Sequence, residues 1–85
     1  MFRVKGLVSA CVLIYCEAGK FSEVLDGIKR VEGVKIAFSV LGRCDIIAWI
    51  ETEDMKALGS TVSKIATTPG VIGTESLVEA LIEVR

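Results

Sequence analysis

The sequence predicts an α+β fold in the order β-α-β-β-α-β: a four-stranded antiparallel sheet with both helices on one face. Three observations lead there. The chain repeats itself at an offset of 37 residues, so that Phe21 falls on Leu58, Leu25 on Val62, Ile28 on Ile65, Gly33 on Gly70, Val34 on Val71 and Ser39 on Ser76. Each copy carries a helical apolar stripe, then a Gly-Val step, then a strand-like run, and a β-α-β unit written twice needs one shared sheet. Several strand segments are also apolar at both parities, which is the pattern of strands covered on two faces.

The first strand is expected from residue 7 to about residue 16, where LVSACVLIYC is nearly continuous apolar sequence. Ala18-Gly19 breaks it. Phe21, Val24, Leu25, Ile28 and Val31 recur at helical spacing, with Lys20, Glu23, Asp26, Lys29 and Arg30 on the wet side. Gly33 is expected to end this helix, because glycine accepts the left-handed conformation at a helix C-terminus. Val34 to Leu41 alternates, with Ile36, Phe38 and Val40 on one face and Lys35, Ala37, Ser39 and Leu41 on the other. Gly42-Arg43-Cys44-Asp45 is too short for anything but a turn, so the strand beginning at Ile46 returns as an antiparallel hairpin. Thr52 and Asp54 are candidate N-caps of the second helix. Met55, Leu58, Val62 and Ile65 are its buried stripe, and Pro69-Gly70 stops it. The last strand is expected from Val71 to about Val84, with a polar patch at Gly73-Thr74-Glu75-Ser76. This order is the ferredoxin-like arrangement, and right-handed crossovers place both helices on the same side of the sheet.

Eighty-five residues make a single domain, residues 1–85. A chain this short buries only about 60% of its unfolded surface, yet 52% of it is hydrophobic and the mean hydropathy is +0.59. Two helices on one sheet face cannot hide that much apolar material. Ile46, Ala48 and Ile50 oppose Ile47 and Trp49 across the strand, so the helix-free face is also expected to be apolar. Stacking two such faces gives a dimer.

The same numbers exclude several functions. Ten basic and eleven acidic residues leave a net charge of −1 with no basic stripe, and a duplex-DNA binder needs a positive footprint. Direct nucleic-acid binding is not expected. Cys11, Cys16 and Cys44 form no Cys-x-x-Cys pair and the chain has no histidine. They read as small hydrophobes in a reducing compartment, with no metal site and no cofactor. Arg3 and Lys5 before an apolar run imitate a signal peptide, and Val8-Ser9-Ala10-Cys11 imitates a lipoprotein box. The apolar stretch before Cys11 is too short for either. The expected location is the cytoplasm, and no segment is long enough to span a bilayer.

Catalysis is not expected, because no Ser-His or Cys-His pair exists to activate a nucleophile. Asp45 and Glu75 are the one acid–base pair worth considering, should they converge. A binding site is better supported. Gly42, Arg43, Cys44 and Asp45 offer turn amides, a guanidinium and a carboxylate, and Thr74 and Ser76, two apart on a strand, project from one face. A free amino acid needs donors for its carboxylate and an acceptor for its ammonium. The competing reading gives Gly42 and Asp45 a turn-shaping role only, and makes Thr74 and Ser76 ordinary strand residues.

Certain stretches carry a family resemblance: Val12-Leu13-Ile14 with Gly19-Lys20, Val31-Glu32-Gly33-Val34, and Ser39 through Ile47 with its Gly-x-x-Asp hairpin. Asp54-Met55 with Leu58-Gly59, and Ile65 through Pro69-Gly70-Val71 to Thr74-Glu75-Ser76-Leu77, complete it. Over about residues 7 to 82 the chain resembles the C-terminal ligand-binding (RAM) domain of the Lrp/AsnC regulators. The resemblance implies an amino-acid-sensing, oligomerising module in which dimers assemble further and effectors sit between neighbouring dimers. Carried over by position, the site is Gly42, Arg43, Cys44 and Asp45 with Thr74 and Ser76. Asp45 is then expected to meet the ligand ammonium, and the loop amides with Thr74 or Ser76 its carboxylate. Cys44 stands where family members usually carry an aromatic residue, which implies a wider or differently selective pocket. Family regulators also carry a helix-turn-helix domain, and this chain resembles the stand-alone form without it. The expected partners are a second copy, a small effector such as an amino acid, and full-length relatives through which transcription is modulated indirectly. A purely structural oligomerisation module, a small dimeric enzyme, and the similarly shaped ACT domain, which pairs sheets edge to edge, are the alternatives.

Overall fold

The computed structural model describes residues 7–78. Its elements run β1 (Val8–Cys16), α1 (Phe21–Lys29), β2 (Val34–Ser39), β3 (Ile46–Thr52), α2 (Met55–Ala66) and β4 (Val71–Val78). The expected β-α-β-β-α-β order is therefore present. The part of the last strand expected beyond residue 78, and Arg3 and Lys5, lie outside the described residues.

The four strands form one antiparallel sheet in the order β2-β3-β1-β4. Strands β1 and β3 are central, and their register pairs Ala10 with Ile50, Val12 with Ala48 and Ile14 with Ile46. All six of those side chains are fully buried. Alternation sends them to one face, where they meet Val24 and Ile28 of α1 and Leu58 and Ile65 of α2. Each fully buried valine, leucine or isoleucine contributes about 1.5–3 kcal/mol, so this layer supplies most of what holds so small a domain together.

The opposite parity faces away from the helices. The register puts Cys11 beside Trp49 and Leu77, Leu13 beside Ile47, and Ile47 beside Phe38, with Ile36 next to Trp49. Ile36, Phe38 and Leu77 are exposed. The helix-free face thus carries apolar side chains from all four strands, as the composition predicts, together with Glu51 and Glu75.

Local signals end each element. Asp54 caps α2: its side chain Oδ1 accepts the Ala57 N–H at 2.8 Å. Thr52, the other candidate, is the last residue of β3, and its hydroxyl donates to the Asp54 carbonyl at 3.1 Å. Helix α1 stops at Lys29, short of Val31. The Val31 N–H turns back to the Ile28 carbonyl at 3.0 Å, and the chain reverses through Gly33 at φ +100°. Strand β2 ends at Ser39, two residues before the expected Leu41, because the hairpin loop begins earlier. Two irregularities carry no sequence mark. One residue is extra in β2 between Val34 and Ile36, and the pairing of β4 with β1 slips between Tyr15 and Cys16, leaving Ile72 unpaired.

Gly70 is the tightest turn. It has φ +95°, and a Cβ there would lie 2.6 Å from Val24 Cγ2 in α1. The Gly70 carbonyl also accepts the Glu17 N–H at 2.9 Å, which ties the entry of β4 to the end of β1. Gly70→Ala should therefore cost at least about 2 kcal/mol, combining left-handed strain with a core clash. Gly19→Ala should cost about 1 kcal/mol, since Gly19 has φ +78° but open space around it. Urea unfolding midpoints of the two variants check the ranking.

Candidate functional site

The β2–β3 connection is a closed loop, larger than the four-residue turn its sequence suggests. The Val40 N–H donates to the Asp45 carbonyl at 3.0 Å and closes it. The Asp45 N–H donates to the Ile14 carbonyl at 2.9 Å, which pins the loop to β1. The Asp45 side chain adds a third tie, with Oδ2 accepting the Cys16 N–H at 2.8 Å. A carboxylate accepting a backbone N–H makes one of the stronger hydrogen bonds, so Asp45 fixes the loop on the sheet.

The loop residues divide by exposure. Gly42 and Arg43 face water, and Leu41 at the tip is fully exposed. Cys44 turns inward and is 7% exposed. Burial, and then the nearby Asp45 carboxylate, push the Cys16 thiol above its ordinary pKa.

A hollow of about 280 Å³ lies against the loop, lined by Phe21, Ser39, Val40, Leu41 and Asp45. Phe21 is the first residue of α1, half exposed at 51%. Sequence reasoning placed Phe21 in the buried helical stripe and overlooked it as a lining residue. Only the end position of Phe21 on that helix could have signalled its exposure. Asp45 is the residue shared between the hollow and the expected site.

Thr74 and Ser76 lie elsewhere on the sheet. Thr74 pairs with Ile14, whose other neighbour is Ile46, and Ser76 pairs with Val12. Two strand spacings of ~4.8 Å therefore separate Thr74 from the start of β3, with β1 between them. Thr74 is half buried and Ser76 exposed. The topology brings loop and β4 to the same end of the sheet, but one copy does not close them around a common ligand. Glu75 has the opposite parity and pairs with Leu13, so it faces the helix-free side.

A larger hollow, about 410 Å³, lies at the other end of the sheet between β2, β3 and α2. Its rim carries Glu32, Lys35, Glu51, Glu53 and Lys64. The Thr61 hydroxyl there donates to the Glu32 carbonyl at 3.3 Å and the Thr52 hydroxyl is also engaged, so its floor is satisfied internally. Among the described residues no three His, Cys, Asp or Glu side chains cluster to hold a metal ion, and no helix is long and apolar enough to cross a membrane.

Two stability outcomes follow from the Asp45 tie. Asp45→Ala should cost about 1–3 kcal/mol, because it leaves the Cys16 N–H without its acceptor, and Asp45→Asn, which keeps an oxygen there, should cost less. A thiol whose pKa is higher folded than unfolded adds stability that is complete below the unfolded value and lost as pH rises through the folded one. The urea midpoint should fall above roughly pH 8.5, and Cys16→Ala should flatten that fall.

With the geometry described, similarity to known proteins narrows the reading. The chain is 30% identical over 69 residues to the HTH-type transcriptional regulator FL11 of Pyrococcus abyssi, covering 81% of this chain and 46% of the regulator. It thus spans about half the length of that relative. The protein TTHA0845 of Thermus thermophilus superimposes with a TM-score of 0.83 at 26% identity, over 92% of this chain and 99% of that one. A feast or famine regulatory protein of M. tuberculosis, solved with L-methionine, shares the fold at 22% identity and a TM-score of 0.74, over 100% of this chain and 63% of its own. The model of the Lrp/AsnC ligand binding domain matches residues 9–79, almost the whole described sheet and both helices, and the chain belongs to that family.

Proposed function

We propose that this chain is a cytoplasmic, oligomeric regulatory module that binds a small effector, an amino acid, where copies meet. It acts on transcription indirectly, through full-length relatives with which it assembles or competes for effector. The observation that carries this reading is the loop of residues 40–45. It is pinned to β1 and presents the Asp45 carboxylate beside a ligand-sized hollow, at the same end of the sheet as the start of β4. One Asp45 oxygen holds the Cys16 N–H, and the other is left to meet an ammonium. Gly42 and Arg43, with Cys44 setting the loop's inner packing, shape the mouth. Thr74 and Ser76 of a neighbouring copy supply hydroxyls for the ligand carboxylate. The L-methionine bound to the M. tuberculosis protein supports an amino acid as the class.

A regulatory role also fits the chemistry better than catalysis does. The chain has no histidine, and Glu75 faces the side of the sheet away from the helices, so it does not pair with Asp45 across the hollow.

Self-association rests on the helix-free face. Exposed Ile36, Phe38 and Leu77 surround half-buried Cys11, Leu13, Ile47 and Trp49. Soluble monomers rarely expose contiguous apolar surface of this kind, and face-to-face stacking of two sheets removes it from water. This face favours the second reading, a module that only oligomerises.

Two measurements separate these readings. Titration calorimetry with the twenty amino acids should find at least one that binds, and Asp45→Asn should weaken it about tenfold or more, the scale of a lost charge-assisted bond. Silence from all twenty leaves the scaffold alone. Phe38→Glu should convert the assembly to smaller species by light scattering while keeping its circular dichroism. An unchanged mass would remove the stacked-sheet dimer.

A further inference from the structure

Granting the stacked-sheet reading of the helix-free face, on which this rests, we infer that the face prefers a partner sheet carrying lysine or arginine to a second copy of itself. The reason is a charge imbalance within the apolar surface. In the register, Glu75, Leu13, Ile47 and Phe38 form one row across the four strands, and Leu77, Cys11, Trp49 and Ile36 form the next. Glu75 thus continues an apolar row and shares its side of β4 with Leu77. A sheet that covers exposed Phe38 and Leu77 passes over the exposed Glu75 carboxylate as well. Glu51 stands opposite Ser9, one row further on, and its Oε2 accepts the Trp49 Nε1–H at 3.4 Å, which keeps the carboxylate beside the indole. No cation among the described residues balances these two. Lys35 is the one lysine or arginine on a described strand. It is the extra residue of the β2 bulge, it lines the 410 Å³ hollow with Ser60 and Thr61 of α2, and it makes no ion pair among the described residues. The other described lysines and arginines sit on or beside the helices, which cover the opposite face, or in the β2–β3 loop.

Charge then sorts the partners. Two copies stacked through this face bring four carboxylates together. Stacked sheets lie ~10 Å apart, about the Debye length of dilute salt, so the carboxylates of one face feel those of the other. An unpaired charge taken out of water is costly, and like charges across a contact reject a partner that otherwise fits. A sheet of the same shape with a lysine or arginine opposite Glu75 and Glu51 removes both penalties and keeps the apolar contact. The face therefore holds its own copy weakly and a cationic relative more tightly, which leaves the chain free to exchange into mixed assemblies.

The test uses the intact chain as its own probe. Glu51→Lys combined with Glu75→Lys gives a face of the same shape and reversed charge, and Glu51→Gln combined with Glu75→Gln gives a neutral one. Glu75 is exposed and Glu51 half buried, so both variants should fold, with circular dichroism as the check. Isotope-labelled wild type is mixed with the charge-reversed variant, and the pairs are counted by native mass spectrometry in dilute and concentrated ammonium acetate. Mixed pairs should exceed the half that random exchange gives, and the excess should shrink as salt rises. By sedimentation, the neutral variant should associate with itself several-fold more tightly than wild type does. Random mixing in dilute salt, or a neutral variant no tighter than wild type, would overturn the preference and leave a second copy as the occupant. An assembly mass unmoved by Phe38→Glu is a different failure: the face is then unused, and the stacked-sheet reading falls along with the preference built on it.

Discussion

Strand β1 is apolar on both of its faces, and helices cover only one. That constraint organises the rest of the molecule. On the covered side, Ala10, Val12 and Ile14 lock against Ile46, Ala48 and Ile50 and against both helices, leaving no exposed area on any of them. On the other side, Cys11, Leu13 and Tyr15 remain half exposed beside Trp49 and Ile47. A sheet with this composition cannot satisfy the hydrophobic effect alone, because the helices it needs for one face are all the helices the described chain has. The demand for a covering surface is thus set by the central strands themselves and owes nothing to the loops.

The loops take the opposite role. Three hydrogen bonds fix the 40–45 connection: Val40 to Asp45, Asp45 to Ile14, and Cys16 to the Asp45 side chain. Asp45 appears in all three. It therefore holds one oxygen in the scaffold, so that the carboxylate lining the hollow is positioned by the sheet. Side chains mounted this way are more precisely placed than those on a free loop. The geometry also joins the two readings of the sequence, in which Asp45 either shaped a turn or met a ligand. The first role is present in the hydrogen bonds, and it is what would make the second effective.

Much of this was legible in the residues because local and long-range signals agree. The 37-residue repeat, the Asp54 cap, the Pro69-Gly70 stop and the parity of Ile46 through Ile50 all point to one architecture, and the last three rest on near neighbours in the chain. What was not legible depends on partners far away in sequence. Nothing around Val34 or Ile72 announces an extra strand residue, because a bulge is decided by the strand opposite. The burial of Cys44 and the exposure of Phe21 are decided by how the hairpin loop and the start of α1 pack in three dimensions. The separation of Thr74 from Asp45 follows from β1 lying between β3 and β4, an insertion that the spacing of the two motifs does not reveal.

The two extra residues sit on the two outermost strands, Lys35 on one side of the sheet and Ile72 on the other. A bulge breaks the even ladder of free N–H and C=O groups that an incoming strand would need, and a protruding lysine adds charge at the break. Sideways growth into an endless ribbon is disfavoured at both margins of the described sheet. Any contact between copies would then have to use the apolar faces or the loops, and not strand addition at these edges. A chain this greasy with even margins would be a candidate for fibres; the two extra residues disfavour that route.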